Sequence, residues 1–310
     1  MKRFLKVTGI VILVASAVSF APVVLLYLSK EPAPYTNAEM AERLTANRGD
    51  NFRFLVFSDN HAGLVLSDSA ALKMVRSMNR EDRFKKIPVD FALSAGDVTF
   101  RSSKWDFHIF NIIRSRIKLP VICAAGNHDD DNKKVRDIFR KYCGSNEMSF
   151  TDRNSYFIIL DNTITNITEK QFSWLETELT KSSPYAHRFI IMHKPPLSPY
   201  QQAWYRSELS AWPYRFMKLC ERYKVDIVFT GHEHMFKESS YRGVKYITTG
   251  GGGMPMDIPT SDGGYHHYLA VRVLGDYVDL EVRKIFPPLW EYLGYYIWKD
   301  LFYTLKSVFL

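Results

Sequence analysis

Five short apolar runs in this chain each end in side chains of the kind that ligate metals. The densest ending is Gly126-Asn127-His128-Asp129, which follows Leu119-Pro120-Val121-Ile122-Cys123-Ala124-Ala125. That run is short enough to be a buried strand, and Gly126 lets the backbone turn sharply after it. Alone, the tetrapeptide reads equally as a polar turn. It has four companions. Asp59-Asn60-His61 follows Phe54-Leu55-Val56-Phe57, Gly96-Asp97 follows Val89–Leu93, His193 follows Phe189–Met192, and Gly231-His232-Glu233-His234 follows Val225–Phe229. In open α/β sheets, ligands sit beyond the carboxyl ends of the strands. Five predicted strands thus deliver metal-ligand residue types at the end where ligands gather.

The candidate ligands are Asp59, His61, Asp97, Asn127, His193, His232 and His234. Carboxylate, imidazole and amide oxygen together suit divalent Mn, Fe or Zn. No thiolate lies among them, which argues against a structural zinc site. The set exceeds what one tetrahedral ion needs, and two divalent metal ions sharing Asp97 would use it all. Two ions ~3.5–4 Å apart clamp a phosphoryl group and lower the pKa of a bridging water, so no serine or cysteine nucleophile is required.

From Phe52 onward, strand-like runs alternate with amphipathic stretches. Helices are predicted near Ser67–Arg80, Ser103–Arg114, Asn132–Tyr142, Glu169–Lys181 and Pro213–Tyr223, with a short one at Ala38–Ala46 and a further strand at Ser155–Leu160. This alternation predicts a layered α/β domain. After Gly231 the pattern becomes strand-rich: Lys245–Thr249, Tyr268–Leu274 and Tyr277–Arg283, the last two joined through Gly275-Asp276, a hairpin signal. Gly250-Gly251-Gly252-Gly253 reads as a flexible loop near the site. It lacks the Lys-Ser/Thr of a phosphate-cradling loop. His266-His267 is a candidate substrate contact.

The five blocks, in this order and each after an apolar strand, resemble the calcineurin-like metallophosphoesterase superfamily over roughly Phe52 to Ile285. The resemblance implies an α/β (α+β) fold, a β-sandwich of two mixed sheets flanked by helices. It implies that Asp59, His61, Asp97 and His234 hold one metal and that Asp97, Asn127, His193 and His232 hold the other. It further implies that a metal-bound hydroxide attacks the phosphorus, with Asp97 bridging the ions. His128 then protonates the leaving oxygen and contacts the phosphate together with Asn127 and Arg101. Two departures stand out. Relatives resembling Ser/Thr protein phosphatases carry Gly-Asp-x-x-Asp-Arg where this chain has Gly96-Asp97-Val98-Thr99-Phe100-Arg101. His128 therefore lacks that usual aspartate, leaving Asp129 or Asp131 to orient it. Purple acid phosphatases place a tyrosine ligand in the same block, and Phe100 cannot ligate. The expected chemistry is hydrolysis of small phosphomonoesters, cyclic nucleotides or nucleotide-lipid pyrophosphates. A pyrophosphatase on a lipid-linked nucleotide and a catalytically silent scaffold are the competing readings, and the intact ligand set speaks against the scaffold. Specificity is expected in the loops Ser198–Ser210 and Gly250–Gly264.

The flanks suggest a membrane. Lys2, Arg3 and Lys6 precede Val7–Leu28, which holds no charged residue. Twenty-two residues at ~1.5 Å each span about 33 Å, enough for a hydrocarbon core of ~30 Å. Ala15-Ser16-Ala17 would suit signal-peptide cleavage, but the apolar run continues beyond it, which favours an uncleaved anchor over 1–30. The positive flank places the catalytic domain outside the cytoplasm, in a periplasm or at the cell exterior. Residues 31–51, with Glu31-Pro32-Ala33-Pro34-Tyr35, read as a proline-stiffened linker. The aromatic tail from Pro287 to Leu310, interrupted by Glu291, Lys299, Asp300 and Lys306, fits an amphipathic helix at a membrane surface or one packed on the protein itself. A net charge of +8 suits phosphorylated or anionic partners but is too diffuse for a nucleic-acid polymer. Cys123, Cys143 and Cys220 are too few for a disulfide framework.

Overall fold

The computed structural model describes residues 21–44, 49–81, 87–129, 133–163, 167–196, 212–256 and 258–286. The side chains of 133–135 are not described. The expected span Val7–Leu28 lies within this only from residue 21. The aromatic tail after Phe286 and the loop Ser198–Ser210 lie outside the described residues.

Two mixed sheets carry the fold. The first has the order β11-β10-β1-β2-β3, with β1 Phe52–Phe57, β2 Val89–Ser94, β3 Val121–Cys123, β10 His267–Leu274 and β11 Tyr277–Lys284. β1, β2 and β3 run parallel, and β10 lies antiparallel to both β1 and β11. The second has the order β4-β5-β6-β7-β9-β8, with β4 Met148–Asp152, β5 Ser155–Ile159, β6 His187–Ile191, β7 Ile227–Thr230, β8 Phe236–Tyr241 and β9 Val244–Thr249. Helices α3 Val65–Met78, α4 Lys104–Ser115 and α5 Lys133–Cys143 follow strands of the first sheet; α6 Glu169–Lys181 and α7 Trp212–Arg222 follow strands of the second. Ser103 caps α4 through Asp106, and Thr168 caps α6 through Gln171, each by a reciprocal capping box.

Period-two burial explains why the strands read as unbroken apolar runs. In β1, Phe52, Phe54 and Val56 face the second sheet, while Leu55 and Phe57 face the helices. In β6, Phe189 and Ile191 face the first sheet, while Ile190 faces α6 and α7. Strands covered on both faces need apolar residues at every position. The two strands that sequence reading missed, β4 and β8, are sheet edges. The β8 sequence FKESSY is half solvated, so it offers no apolar run.

The stretch expected to be a linker is docked instead. Glu31 meets His108 at 2.9 Å, and Asn111 donates to the Pro32 carbonyl. The Tyr35 ring lies 3.8 Å from the Arg114 guanidinium carbon. Asn37, at the start of α2 Asn37–Glu42, donates to the Cys123 carbonyl and accepts from the Cys123 N–H, closing the open edge of β3. A polar strap of this kind satisfies an edge strand's backbone groups. The helix before it, described over residues 21–27 and called α1 here, buries Val23 and Leu26 in the core beside α3 and α4. Among the described residues no helix is long and apolar enough to cross a membrane.

The inter-sheet core is aromatic. Phe54 stacks on Phe91 at 5.3 Å and meets Phe157 and Phe189 edge-on at 5.4 and 5.3 Å. Replacing Phe54 with alanine should cost ~3–5 kcal/mol, since rings from both sheets would border the cavity. A shift of the urea midpoint equivalent to less than 1 kcal/mol would mean that the sheets do not pack through this ring.

Candidate metal centre

The strand ends meet because their loops are zipped together by backbone hydrogen bonds. Beyond β1 and β2, the Asp59 N–H donates to the Gly96 carbonyl, His61 to Asp97 and Ala62 to Val98, each at 3.0 Å. Asp59, His61, Asp97 and His232 all have left-handed backbones, with φ of 61°, 45°, 49° and 69°. Such conformations persist in non-glycine residues only where the surroundings hold them, and they cluster at functional sites. Gly96 is needed where three loops crowd: a Cβ there would lie 2.8 Å from both the Gly126 nitrogen and His193 Nδ1.

The side chains converge around two buried carboxylates. His61 Nε2 lies 3.8 Å from Asp59 Oδ1 and 3.6 Å from Asp97 Oδ2. His234 Nε2 is 3.6 Å from Asp59 Oδ1, and His193 Nε2 is 3.2 Å from Asp97 Oδ2. The Asn127 amide oxygen sits 3.1 Å from His193 Nε2 and 2.8 Å from His232 Nδ1. Among the described residues, Asp59, His61 and His234 form one group with donor atoms within 4.8 Å of one another, and Asp97, His193 and His232 form a second. His61, Asp97 and His128 satisfy the same spacing. The predicted ligands and His128 therefore come together, and Arg101 stands at their edge, beyond the Phe100 ring that meets His61 and His128. The Arg101 side chain is exposed and lies over the Phe100 ring, at 4.9 Å from the centroid.

The donor set suits divalent cations. Both ring nitrogens of His61 are buried without a hydrogen-bond partner, although two carboxylates face Nε2. A buried imidazole left so is costly unless something else binds it. His193 donates Nδ1–H to the Ala95 carbonyl at 2.9 Å, which fixes its tautomer and turns Nε2 toward Asp97. Burial opposes charge on His193, but the Asp97 carboxylate outweighs it and lifts the imidazole to about 9. Burial would raise Asp97, yet His193, His61 and His128 hold it well below the usual carboxylate range. Burial and neighbouring His193 push His232 down to about 4.

His128 is oriented by a route that sequence reading did not identify. Its Nδ1–H donates to the Phe100 carbonyl at 2.7 Å, and its ring lies nearly parallel to that of Phe100. Its own N–H donates to Asp97 Oδ1 at 2.8 Å. Asp129 does not orient the ring. Its carboxylate is consumed by the N–H groups of Val98, Thr99 and Gly126 and by the Thr99 hydroxyl, tying the second and third loops together. Asp131 lies outside the described residues.

The four-glycine loop is a strut rather than a mobile turn. Gly252 N–H donates to the Ser58 carbonyl at 2.8 Å, and Met254 N–H to the Asp59 carbonyl at 3.1 Å. His267 is buried against Thr249 and the Tyr265 carbonyl, and His266 Nδ1 faces the Gly251 carbonyl. His267 is therefore a packing residue. Asn162 was missed: its side-chain oxygen accepts from the N–H groups of His193 and Lys194, and its amide donates to the Lys194 carbonyl. The signal was present, because Asp161-Asn162 ends the strand-like run Ser155–Leu160 as the other blocks end theirs.

Residues 52–236 match the model of the calcineurin-like phosphoesterase family. The chain belongs to that family. It is 25% identical over 253 residues to purple acid phosphatase 23 of Arabidopsis thaliana, covering 73% of this chain and 54% of the relative. The chain thus spans about half the length of that curated relative. Among solved structures, the purple acid phosphatase PPD1 of yellow lupin (Lupinus luteus) matches with a TM-score of 0.58 at 16% identity, over 81% of this chain and 53% of that one. GAP50, described as the anchor in the inner membrane complex of Plasmodium, matches with a TM-score of 0.55 at 14% identity, over 76% and 84%. These structural likenesses establish the fold alone. Where purple acid phosphatases are expected to place a ligand tyrosine, Phe100 instead offers its carbonyl and ring to His128.

A Cβ on Gly252 would lie 2.1 Å from the Ser58 carbonyl oxygen. Backbone crowds it there, so the strain has no flexible side chain to absorb it. Gly252→Ala should cost about 1–3 kcal/mol and shift the Asp59 loop. Unchanged thermal unfolding would show that the loop is free to move.

Proposed function

We propose that this protein is a membrane-tethered phosphoester hydrolase that works with two divalent metal ions of the Mn, Fe or Zn class. The observation that carries the reading is the pair of donor groups on either side of the Asp97 carboxylate, with a buried His61 whose ring nitrogens have no hydrogen-bond partner. Asp59, His61, Asp97 and His234 would hold one ion, and Asp97, Asn127, His193 and His232 the other. Bound there, the ions supply charge neutralisation for the phosphoryl group and activation of the attacking water.

The chain's own residues do the rest. Asp97 keeps both donor groups in one place while its second oxygen holds the His128 backbone. His128, with Nδ1–H committed to the Phe100 carbonyl, is free to hold a proton at Nε2 and pass it to the leaving oxygen. Arg101 offers its guanidinium to phosphate oxygens from the rim. The phosphatase relative supports this reaction class. Phosphomonoesters and phosphodiesters both fit, and a lipid-linked nucleotide pyrophosphate is the second reading, motivated by the apolar N-terminal stretch. We further propose that the uncharged stretch that begins at Val7 stays attached as the anchor up to the point where Val23 and Leu26 enter the domain core, and that the domain lies outside the cytoplasm.

Elemental analysis of active protein should find about two divalent metals per chain, and Asp97→Ala should lower both occupancy and turnover more than any other ligand substitution. At most one metal per chain in a fully active preparation would sink the dinuclear reading.

His128→Ala should keep its metals yet lose ~10²–10⁴-fold in rate on alkyl phosphates, with a smaller loss on nitrophenyl esters, whose leaving group needs no proton. Loss of metal in this variant would place His128 among the ligands instead.

A further inference from the structure

Large apolar side chains that remain exposed are few among the described residues: Val24, Leu25, Leu28, Val65, Trp105, Tyr277 and Phe286. Scattered exposed hydrophobics are ordinary, but gathered ones mark interaction surfaces. All but Tyr277 gather at the end of the fold that holds the candidate metal centre. Val65 opens α3, four residues after His61, and Trp105 is the second residue of α4, four after Arg101. Phe286 follows β11, whose last residue, Lys284, pairs with His267 at the site end of β10. Val24, Leu25 and Leu28 belong to α1 and the turn after it. Tyr27, between them, meets the Trp105 ring edge-on at 5.6 Å and donates to Asp68 on the first turns of α3. Leu28 is 78% exposed and Trp105 48%. Tyr277 lies at the opposite end, at the β10–β11 turn.

The surroundings of this patch point to lipid. The exposed cations Arg101, Lys104 and Lys30 stand beside it, and the whole chain carries +8. Apolar and aromatic side chains ringed by Lys and Arg match the level of anionic headgroups. The chain enters the patch from an uncharged stretch that begins at Val7. The strap that follows is bonded to α4 through Glu31, Pro32 and Tyr35, so the domain is not free to swivel about its attachment.

We propose that this end of the domain lies on an anionic bilayer, with Val24, Leu25, Leu28, Val65 and Trp105 at the headgroup level, and that the phosphate hydrolysed is carried on a lipid headgroup. The inference rests on the hydrolase reading and names its substrate class. The path from site to patch is short: His128 leans on the Phe100 carbonyl, and the backbone from Arg101 leads to Trp105. For a headgroup phosphomonoester, a P–O bond to water forms and the ester P–O bond breaks. The lipid alcohol leaves with a proton, and inorganic phosphate is released.

The full chain, reconstituted in phosphatidylcholine–phosphatidylglycerol vesicles, tests this directly. Cys123, Cys143 and Cys220 are buried, so a fluorophore can be placed on Trp105→Cys, Val65→Cys or Tyr277→Cys. Brominated lipids should quench the labels at 105 and 65 strongly and the label at 277 little. Equal quenching at the two ends overturns the proposal. So does weak quenching of 105 and 65 by brominated lipid together with shielding from an aqueous quencher in the vesicles, which would assign the patch to a second copy or to the chain's own tail. In the same vesicles, the double variant Leu28→Glu, Val65→Glu should lose about tenfold on phosphatidic acid through repulsion from the anionic surface, with turnover of a soluble aryl phosphate unchanged. Parallel losses on both substrates, or none on the lipid, count against it. Turnover of the aryl phosphate but not of phosphatidic acid by the unaltered chain overturns the lipid substrate, whereas absence of turnover on both removes the hydrolase reading itself.

Discussion

Asp97 is a buried carboxylate that several loops share. One oxygen accepts the His128 N–H; the other faces His61 and His193. A carboxylate taken out of water is costly unless neighbours compensate it. Here the compensation comes from side chains that are far apart in sequence and meet only when both sheets are built. The left-handed backbones of Asp59, His61 and Asp97, and the crowding at Gly96, follow from bringing those loops within reach of one carboxylate.

The rest of the fold serves that convergence. The aromatic core between the sheets sets their separation, and the helices outside cover their other faces. Asp129 braces the second loop against the third, and Asn162 clamps the backbone at His193. The Gly252 strut holds the backbone of the first loop at Ser58, and Met254 holds it at Asp59. None of these residues belongs to either donor group, yet each restricts where a donor can sit. Preorganisation of this kind is what a metal centre needs to keep its geometry through a reaction.

The N-terminal segment adds an orientation. A tether of free chain would let the domain present any face to a surface, whereas α1 and the strap bonded along α4 bind the point of entry to the same helices that begin beside the site. The local chemistry of the rim and the path of the chain toward the N-terminus are thus coupled through a few side chains, notably Tyr27, Trp105 and Glu31.

Much of this was legible in the sequence. Strands buried on both faces have to be apolar throughout, so β1, β2, β3, β6 and β7 declared themselves, and the donor-type residues at their carboxyl ends named the candidate centre before any geometry was known. Edge strands β4 and β8 were invisible because solvent on one side removes the apolar signal. Residues 31–44 looked like a linker because their partners, His108, Arg114 and Cys123, are remote in sequence. For the same reason local reading could not give the His128 orienter: the Phe100 carbonyl is a backbone group that any residue could supply. The glycine run looked mobile because glycine permits motion, while the opposing carbonyl of Ser58 that forbids it lies in the loop after β1. Sequence alone named the side chains of metal-ligating type and the strand ends on which they ride. Tertiary structure decided what holds those side chains still, because hydrogen bonds to backbone leave no trace in residue identity.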